Sequence, residues 1–326
     1  MRLRGGAHGP LRGPHDASKV LEVDGLSVYY GPVRGVSAVS LEVGAGEVVA
    51  LLGANGAGKS TVLKAVSGIV KPRSGAVRYL GRDMSGVRAA ERARMGLVQV
   101  PEGRRIFPAL TVRENLELAA FGHRRAPGGS GSSPGSGNGI SPGPSTTEAN
   151  LDRPPVFWRR GRSRREEQLE RVLERFPLLR AHLGKLAGML SGGEQQVLAI
   201  ARAMMAGPKL LMVDEPSLGL APQMVENVYE LLAEIGKAGT SVLLVEQNVS
   251  LAFEVTERAY VLQNGSLVLS GRSTELAGDP RVVEAYLGAG PPAARPAPNE
   301  PPAAEPPADE HSAAEPGGPA RERALP

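Results

Sequence analysis

Two glycine-rich turns in this chain each run straight into a helix pattern. Helix starts of that kind bind anions, because unpaired backbone N–H groups and the positive end of the helix dipole face out of the first turn. The first is GANGAGKST at 53–61; the second is the SGG of MLSGGEQQVLAIARA at 189–203. A third stretch, KLLMVDEP at 209–216, is an apolar run that ends in two adjacent carboxylates, Asp214 and Glu215. Charge at the end of a buried strand is costly unless a cation or a substrate offsets it. Glycines, lysine, hydroxyl and paired carboxylates are together the parts needed to hold a nucleoside triphosphate with a divalent cation and to direct water at it.

GANGAGKST follows the apolar EVVALL and precedes the helical TVLKAVSGI, the strand, loop and helix context of a Walker A phosphate loop. Gly53, Gly56 and Gly58 allow close backbone approach, and the loop through Asn55, Ala57 and Thr61 can surround the β- and γ-phosphates with N–H groups. Lys59 supplies charge to those oxygens, and Ser60 can hold Mg2+. Asp214 is expected to ligate Mg2+, and Glu215 to polarise the attacking water as general base. With the Lys59 loop holding the chain's own ATP, the helix start at Ser191, Gly192 and Gly193 is free to face a γ-phosphate on another subunit. Two chains would then sandwich two ATPs.

These groups need a scaffold, and composition bounds it. The chain has 326 residues, and its hydrophobic content of 41% suffices for a real core, whereas its 42 glycines and 28 prolines are concentrated in particular stretches. A folded body at 19–288 is expected, with disordered segments at 1–18, at 122–165 as an insertion, and at 289–326 as a Pro/Ala-rich tail. VLEVDGLSVYY and SAVSLEVGAGEVVALLG alternate apolar and polar residues before turning wholly apolar, as peripheral strands leading into a buried one should. After the insertion, Leu169, Val172, Leu173 and Phe176 form one helical stripe that Pro177 ends, and Thr111 reads as a helix start. With no cysteine, thiolate metal sites and disulfides are excluded, so any metal is held by oxygen or nitrogen. No apolar run reaches the ~18 residues of a membrane span, and the N-terminus lacks a signal peptide's apolar core. The net charge of +4 is scattered and aromatics are only 4%, so no nucleic-acid stacking platform is expected. The basic RRGRSRR at 159–165 reads as a solvated flank.

With LSGGE standing some twenty residues before the strand that ends at Asp214, the sequence resembles the ATP-binding cassette (ABC) family, Glu194 replacing the glutamine of its LSGGQ signature. The resemblance covers about residues 19–121 and 166–288. It implies that Tyr30, in VYYGP, stacks adenine. It places Glu102, counted back from P-x-L-T-V, at the Q-loop site as a Mg2+ ligand, with Gln99 inside a strand. It places Gln247 at the switch histidine and Ala221 at the D-loop aspartate. Glutamine can donate a hydrogen bond to a γ-phosphate but carries no proton at neutral pH. PEGRR, LSGGEQQ and the AYLG at 285–288 are similar to one subgroup, the LivF-type ATPases of branched-chain amino-acid importers.

The resemblance implies an α/β P-loop fold: a mainly parallel core sheet, an antiparallel β subdomain including Tyr30, and a helical subdomain from about 87 to 190. It also implies ATP hydrolysis at the cytoplasmic face of a membrane, coupled to uptake through separate permeases that meet the GRRIFPALTVREN region. The partners so implied are those permeases, a second and different ABC ATPase, and indirectly an extracytoplasmic solute-binding protein, with no nucleic acid. Other transporter classes, soluble cassettes acting in translation or DNA repair, and a regulatory cassette remain alternatives, as do amides or urea for the solute.

Overall fold

The computed structural model describes residues 18–121 and 156–287. β1 (Lys19–Tyr30) and β2 (Val33–Gly44) form an antiparallel hairpin, turned at Gly31 in the left-handed region (φ 59). β3 (Val48–Leu52), VVALL, is buried at every residue and delivers the chain through the glycine loop into α1 (Lys59–Val66). β4 (Ser74–Tyr79) and the short β5 (Arg82–Asp83) complete a four-stranded antiparallel sheet in the order β2-β1-β4-β5. α2 (Ala89–Arg94) then leads to β6 (Leu97–Val100).

The helical part follows as α3 (Val112–Phe121), α4 (Val156–Arg175) and α5 (Pro177–Arg180), and α6 (Gly192–Met204) returns the chain to the sheet. β7 (Leu210–Asp214), α7 (Pro222–Lys237), β8 (Ser241–Glu246), α8 (Val249–Val255), β9 (Arg258–Gln263), β10 (Ser266–Arg272), α9 (Ser273–Leu276) and α10 (Pro280–Leu287) finish it. The second sheet has the order β10-β9-β3-β8-β7-β6, parallel throughout except for β10 at its edge.

Strands buried on both faces read as continuous apolar runs, and here alternate residues serve two cores. Ala50, Leu52, Val213 and Leu244 pack with the apolar stripes of α3 to α8, whereas Val49, Leu51, Met212 and Leu243 pack with α1 and the antiparallel sheet. The stripe Leu169, Val172, Leu173 and Phe176 is buried as its spacing requires. Pro177 ends that run and opens α5 at its first position, where a missing N–H costs nothing.

Two boundaries differ from those the sequence implies. α4 begins at Val156, so the last ten residues of the expected 122–165 insertion, RRGRSRR included, are helical; 122–155 lie outside the described residues, as do 1–17 and 288–326. Low-complexity composition hid a helix whose start has no apolar period. The helical region expected over 87–190 is interrupted as well, because β6, with Gln99 inside it, is a strand of the central sheet.

Two buried polar side chains fix the joints around the glycine loop. Arg92 donates to Ala65 O (3.1 Å) and Val66 O (2.7 Å) at the end of α1 and to Met84 O (2.6 Å) and Val87 O (3.0 Å). It is a cation at a helix C-terminus, held in place of solvent. Burial lowers its pKa, and the Asp83 charge opposes that. Asn115, fully buried, accepts from Phe107 N and donates to the carbonyls of Phe107, Leu110 and Thr111, which fastens the segment leading into α3. Arg92→Met leaves the Val66 and Val87 carbonyls without this donor, whereas Ala65 O keeps Gly68 N and Met84 O keeps Val87 N, and it is expected to cost about 1–3 kcal/mol, read as a lower urea midpoint with an unchanged m-value.

Candidate active site

The strand register assembles the site. Leu52 of β3 pairs with Glu246 of β8, and Val245 pairs with Asp214 of β7, so the loops after three adjacent parallel strands leave the sheet side by side. Open α/β sheets bind ligands at that end. Here the loops wall a cleft of about 430 Å³ lined by Asn55 to Thr61, Glu102, Glu215 and Gln247. Val33, Arg34 and Gly35 of the β1–β2 hairpin and Leu218 also line it, and sequence reasoning missed them. For the hairpin residues the position three to five residues beyond Tyr30 was the available signal, and for Leu218 its place three residues beyond Glu215.

Inside the cleft the charged groups hold one another. Lys59, only 4% exposed, donates from Nζ to Gly53 O (2.8 Å) and Ala54 O (3.2 Å) and pairs with Glu215 Oε1 at 3.2 Å. Gln247 Nε2 donates to the other carboxylate oxygen of Glu215 (2.9 Å) and to Asn55 Oδ1 (2.6 Å). Glu215 itself has a left-handed backbone (φ 46), a conformation that costs a residue with a side chain about 1–3 kcal/mol. Ser60 Oγ donates to Asp214 Oδ1 at 3.5 Å. Burial pushes the Asp214 carboxyl up to about 6; Ser60 opposes the shift, and the charges of Glu215 and Glu102 add to it.

A divalent cation would offset that buried charge. Among the described residues no three His, Cys, Asp or Glu side chains cluster as a metal cage. The oxygens at hand are the Ser60 hydroxyl, the Asp214 carboxylate and, on the same cleft, the Glu102 carboxylate. This sparse set suits Mg2+, which keeps waters and is bound by one or two carboxylates together with substrate phosphates.

The signature residues are elsewhere. Ser191, Gly192 and Gly193 do not line the cleft. Ser191 caps α6: its hydroxyl accepts from Glu194 N (3.3 Å), and the Glu194 carboxylate accepts from Ser191 N (2.6 Å). That capping box gives Glu194 a function in the place where the family carries glutamine. The Ser191 N–H holds its carboxyl below the ordinary value, with His182 at 3.2 Å assisting. Gly193 faces inward, where a Cβ would fall 2.3 Å from Met224 Cε, so α6 and α7 meet at its bare backbone. Tyr30 is 44% exposed beside the cleft, with its hydroxyl 3.5 Å from Thr61 Oγ1, and does not line the wall itself.

Glu246 lies outside the motifs legible in the sequence. It closes the apolar run SVLLVE as Asp214 closes LLMVD, so the same signal was present in the sequence. It is 1% exposed and accepts from Ser217 N (3.1 Å), Gln247 N (2.9 Å) and Asn248 N (3.5 Å).

The glycines of the loop differ in what they tolerate. A Cβ on Gly53 would lie 2.5 Å from Leu262 O, whereas on Gly56 it meets nothing within 4 Å and only the left-handed φ of 79 resists it. Gly53→Ala is expected to cost about 2–3 kcal/mol by overpacking on top of its positive φ of 156, and Gly56→Ala about 1 kcal/mol from the backbone alone. Urea unfolding of the two variants checks this, and equal losses would show that the contact between Gly53 and Leu262 is not the constraint.

Residues 36–218 match the ABC transporter family. The chain is 39% identical over 269 residues to BraG of Pseudomonas aeruginosa, a high-affinity branched-chain amino acid transport ATP-binding protein, covering 82% of this chain and 100% of that one. It is 35% identical over 270 residues to LivG of Salmonella typhimurium, which has the same description, covering 82% and 98%. These relatives carry BraG and LivG names rather than the LivF type to which PEGRR, LSGGEQQ and AYLG are similar. Among solved structures, the ADP conformation of MJ1267, an ATP-binding cassette of an ABC transporter, superposes with a TM-score of 0.65 at 26% identity, covering 83% of this chain and 99% of that one. Phosphate loop, paired carboxylates and signature helix thus stand on a sheet shared with that cassette, and the chain belongs to the ATP-binding proteins of ABC transporters, an ATPase family.

Proposed function

We propose that this chain is the ATP-hydrolysing subunit of an importer for branched-chain amino acids. The observation that carries the catalytic part is the convergence of Lys59, Glu215 and Gln247 in one cleft from which Ser191, Gly192 and Gly193 are absent. Lys59 and the N–H groups of residues 55–61 hold the β- and γ-phosphates. As Lys59 turns to the phosphates it releases Glu215 Oε1, which is then free to polarise water, while Gln247 keeps the other oxygen with one amide N–H and turns the second from Asn55 to the γ-phosphate. Ser60, Asp214 and Glu102 would hold Mg2+, whose charge would offset that of the phosphate oxygens. Tyr30 stacks on adenine at the mouth.

The signature helix start serves the ATP of a second cassette. The relatives' names support the branched-chain amino-acid class, and the subgroup stays at that level, since the LivF-type motifs and the BraG and LivG names differ. The partner cassette is a different chain. Both sit at the cytoplasmic face of the membrane against separate permeases, which an extracytoplasmic solute-binding protein supplies, and nucleic acid has no part in the cycle. Among the described residues no helix is long and apolar enough to cross a bilayer, so the solute path belongs to the permeases.

Affinity purification from detergent-solubilised membranes tests the assembly; permease and a second cassette should co-purify, and recovery of ribosomes or DNA would overturn it. Lys59→Ala is expected to abolish hydrolysis. Glu215→Gln should retain ATP binding and accumulate a closed dimer, with turnover reduced about 100-fold or more; parental turnover would remove Glu215 as the base. Ser191→Arg places a bulky cation at the helix start. In a complex with each Walker A lysine inactivated in turn, it should suppress hydrolysis at the partner's nucleotide and spare binding at Lys59. Loss confined to this chain's own nucleotide would show that the signature acts in cis.

A further inference from the structure

Glu246 is a carboxylate buried to 99% that does not line the nucleotide cleft. Among the described residues no cation pairs with it; its charge is held by three backbone N–H groups. Those donors belong to two different loops. Oε1 takes Ser217 N, two residues beyond Glu215 in the turn that leads to Ala221 and α7. Oε2 takes Gln247 N and Asn248 N, the first residues after β8. A single rigid side chain at a strand end thus joins the turn that carries Glu215 to the loop that carries Gln247. Their side chains meet again on the far side, Gln247 Nε2 to Glu215 Oε2.

Two buried tyrosine hydroxyls add to the picture. The hydroxyls of Tyr229 in α7 and Tyr286 in α10 have no hydrogen bond of full geometry; both are pushed up, by burial first and further by Glu246, which Tyr229 also approaches as a donor, whereas Ser217 opposes the shift at Tyr229 and Gly53 at Tyr286. Each therefore lies within the field of the Glu246 carboxylate while the three N–H groups occupy it. Truncating either loop's grip would leave a buried charge or a buried donor unmatched, which is expensive, so the two loops hold one relative position.

We propose that Glu246 is a positioning residue for hydrolysis: it locks the Glu215 turn and the Gln247 loop into one unit, so that the carboxylate and the amide are set against the γ-phosphate together. This rests on the roles proposed for Glu215 and Gln247. Glutamine in place of Glu246 keeps shape and volume but turns an NH2 toward one set of N–H donors, so one loop must let go while the other stays bound.

The test is Glu246→Gln in the full chain within its transporter complex. Turnover should fall about 100-fold, as for a displacement of catalytic groups by an ångström, with KM for ATP and nucleotide affinity within about twofold of the parent. Glu246→Asp keeps the charge and should recover part of kcat. In the Gln247→Ala background, Glu246→Gln should add less than about threefold, because both changes disturb the same unit. Equal falls in kcat and ATP affinity that follow a lowered melting temperature, or full additivity with Gln247→Ala, would overturn the proposal by making Glu246 a plain stabiliser. Parental kcat in Glu246→Gln alongside an inactive Glu215→Gln would overturn it alone. Parental kcat in both variants would instead remove the Glu215 assignment on which it stands.

Discussion

The parallel ladder of β3, β8 and β7 is the constraint on which everything at the cleft depends. Leu52 opposite Glu246 and Val245 opposite Asp214 set the heights at which three loops leave the sheet, and a slip of one residue would exchange each strand's side chains between the two cores. Because both faces of these strands are covered, one by helices and one by α1 with the antiparallel sheet, the register is specified twice. The loops can then be irregular without being loose.

Burying this many charges is unfavourable in itself, and each is handled differently. Lys59 and Glu215 neutralise one another; Glu246 and Arg92 are matched by backbone groups, N–H for the anion and carbonyls for the cation. Asp214 is the exception, with a hydroxyl at 3.5 Å and two like charges nearby. The least satisfied of the buried carboxylates is thus the one for which a cation is proposed, and the others serve geometry as much as chemistry.

What the sequence disclosed and what it hid divide along a physical line. GANGAGKST, VDEP and LSGGE were legible because their chemistry lies within a few consecutive residues whose local turn or helix start already has the needed geometry. The apolar runs of β3, β7 and β8 and the stripe of α4 were legible for the same reason. Arg92, Asn115 and the meeting of Gly193 with Met224 were not, since each is defined by what another element brings to it across the fold. Glu246 lies between: the carboxylate after an apolar strand was visible, but its partners on the Ser217 turn were not. The start of α4 was hidden by basic, glycine-containing composition that resembles a linker until helix continuity is seen.

The left-handed Glu215 has an evolutionary consequence. Glycine there would relax the backbone at no steric cost, and by that measure the residue most able to stabilise this turn is one that cannot polarise water. Selection on this turn weighs a backbone strain of about 1–3 kcal/mol against the loss of the carboxylate that neutralises buried Lys59. Glycine at 215 would relax the turn but strand a buried ammonium, so laboratory evolution toward heat resistance should leave position 215 unchanged.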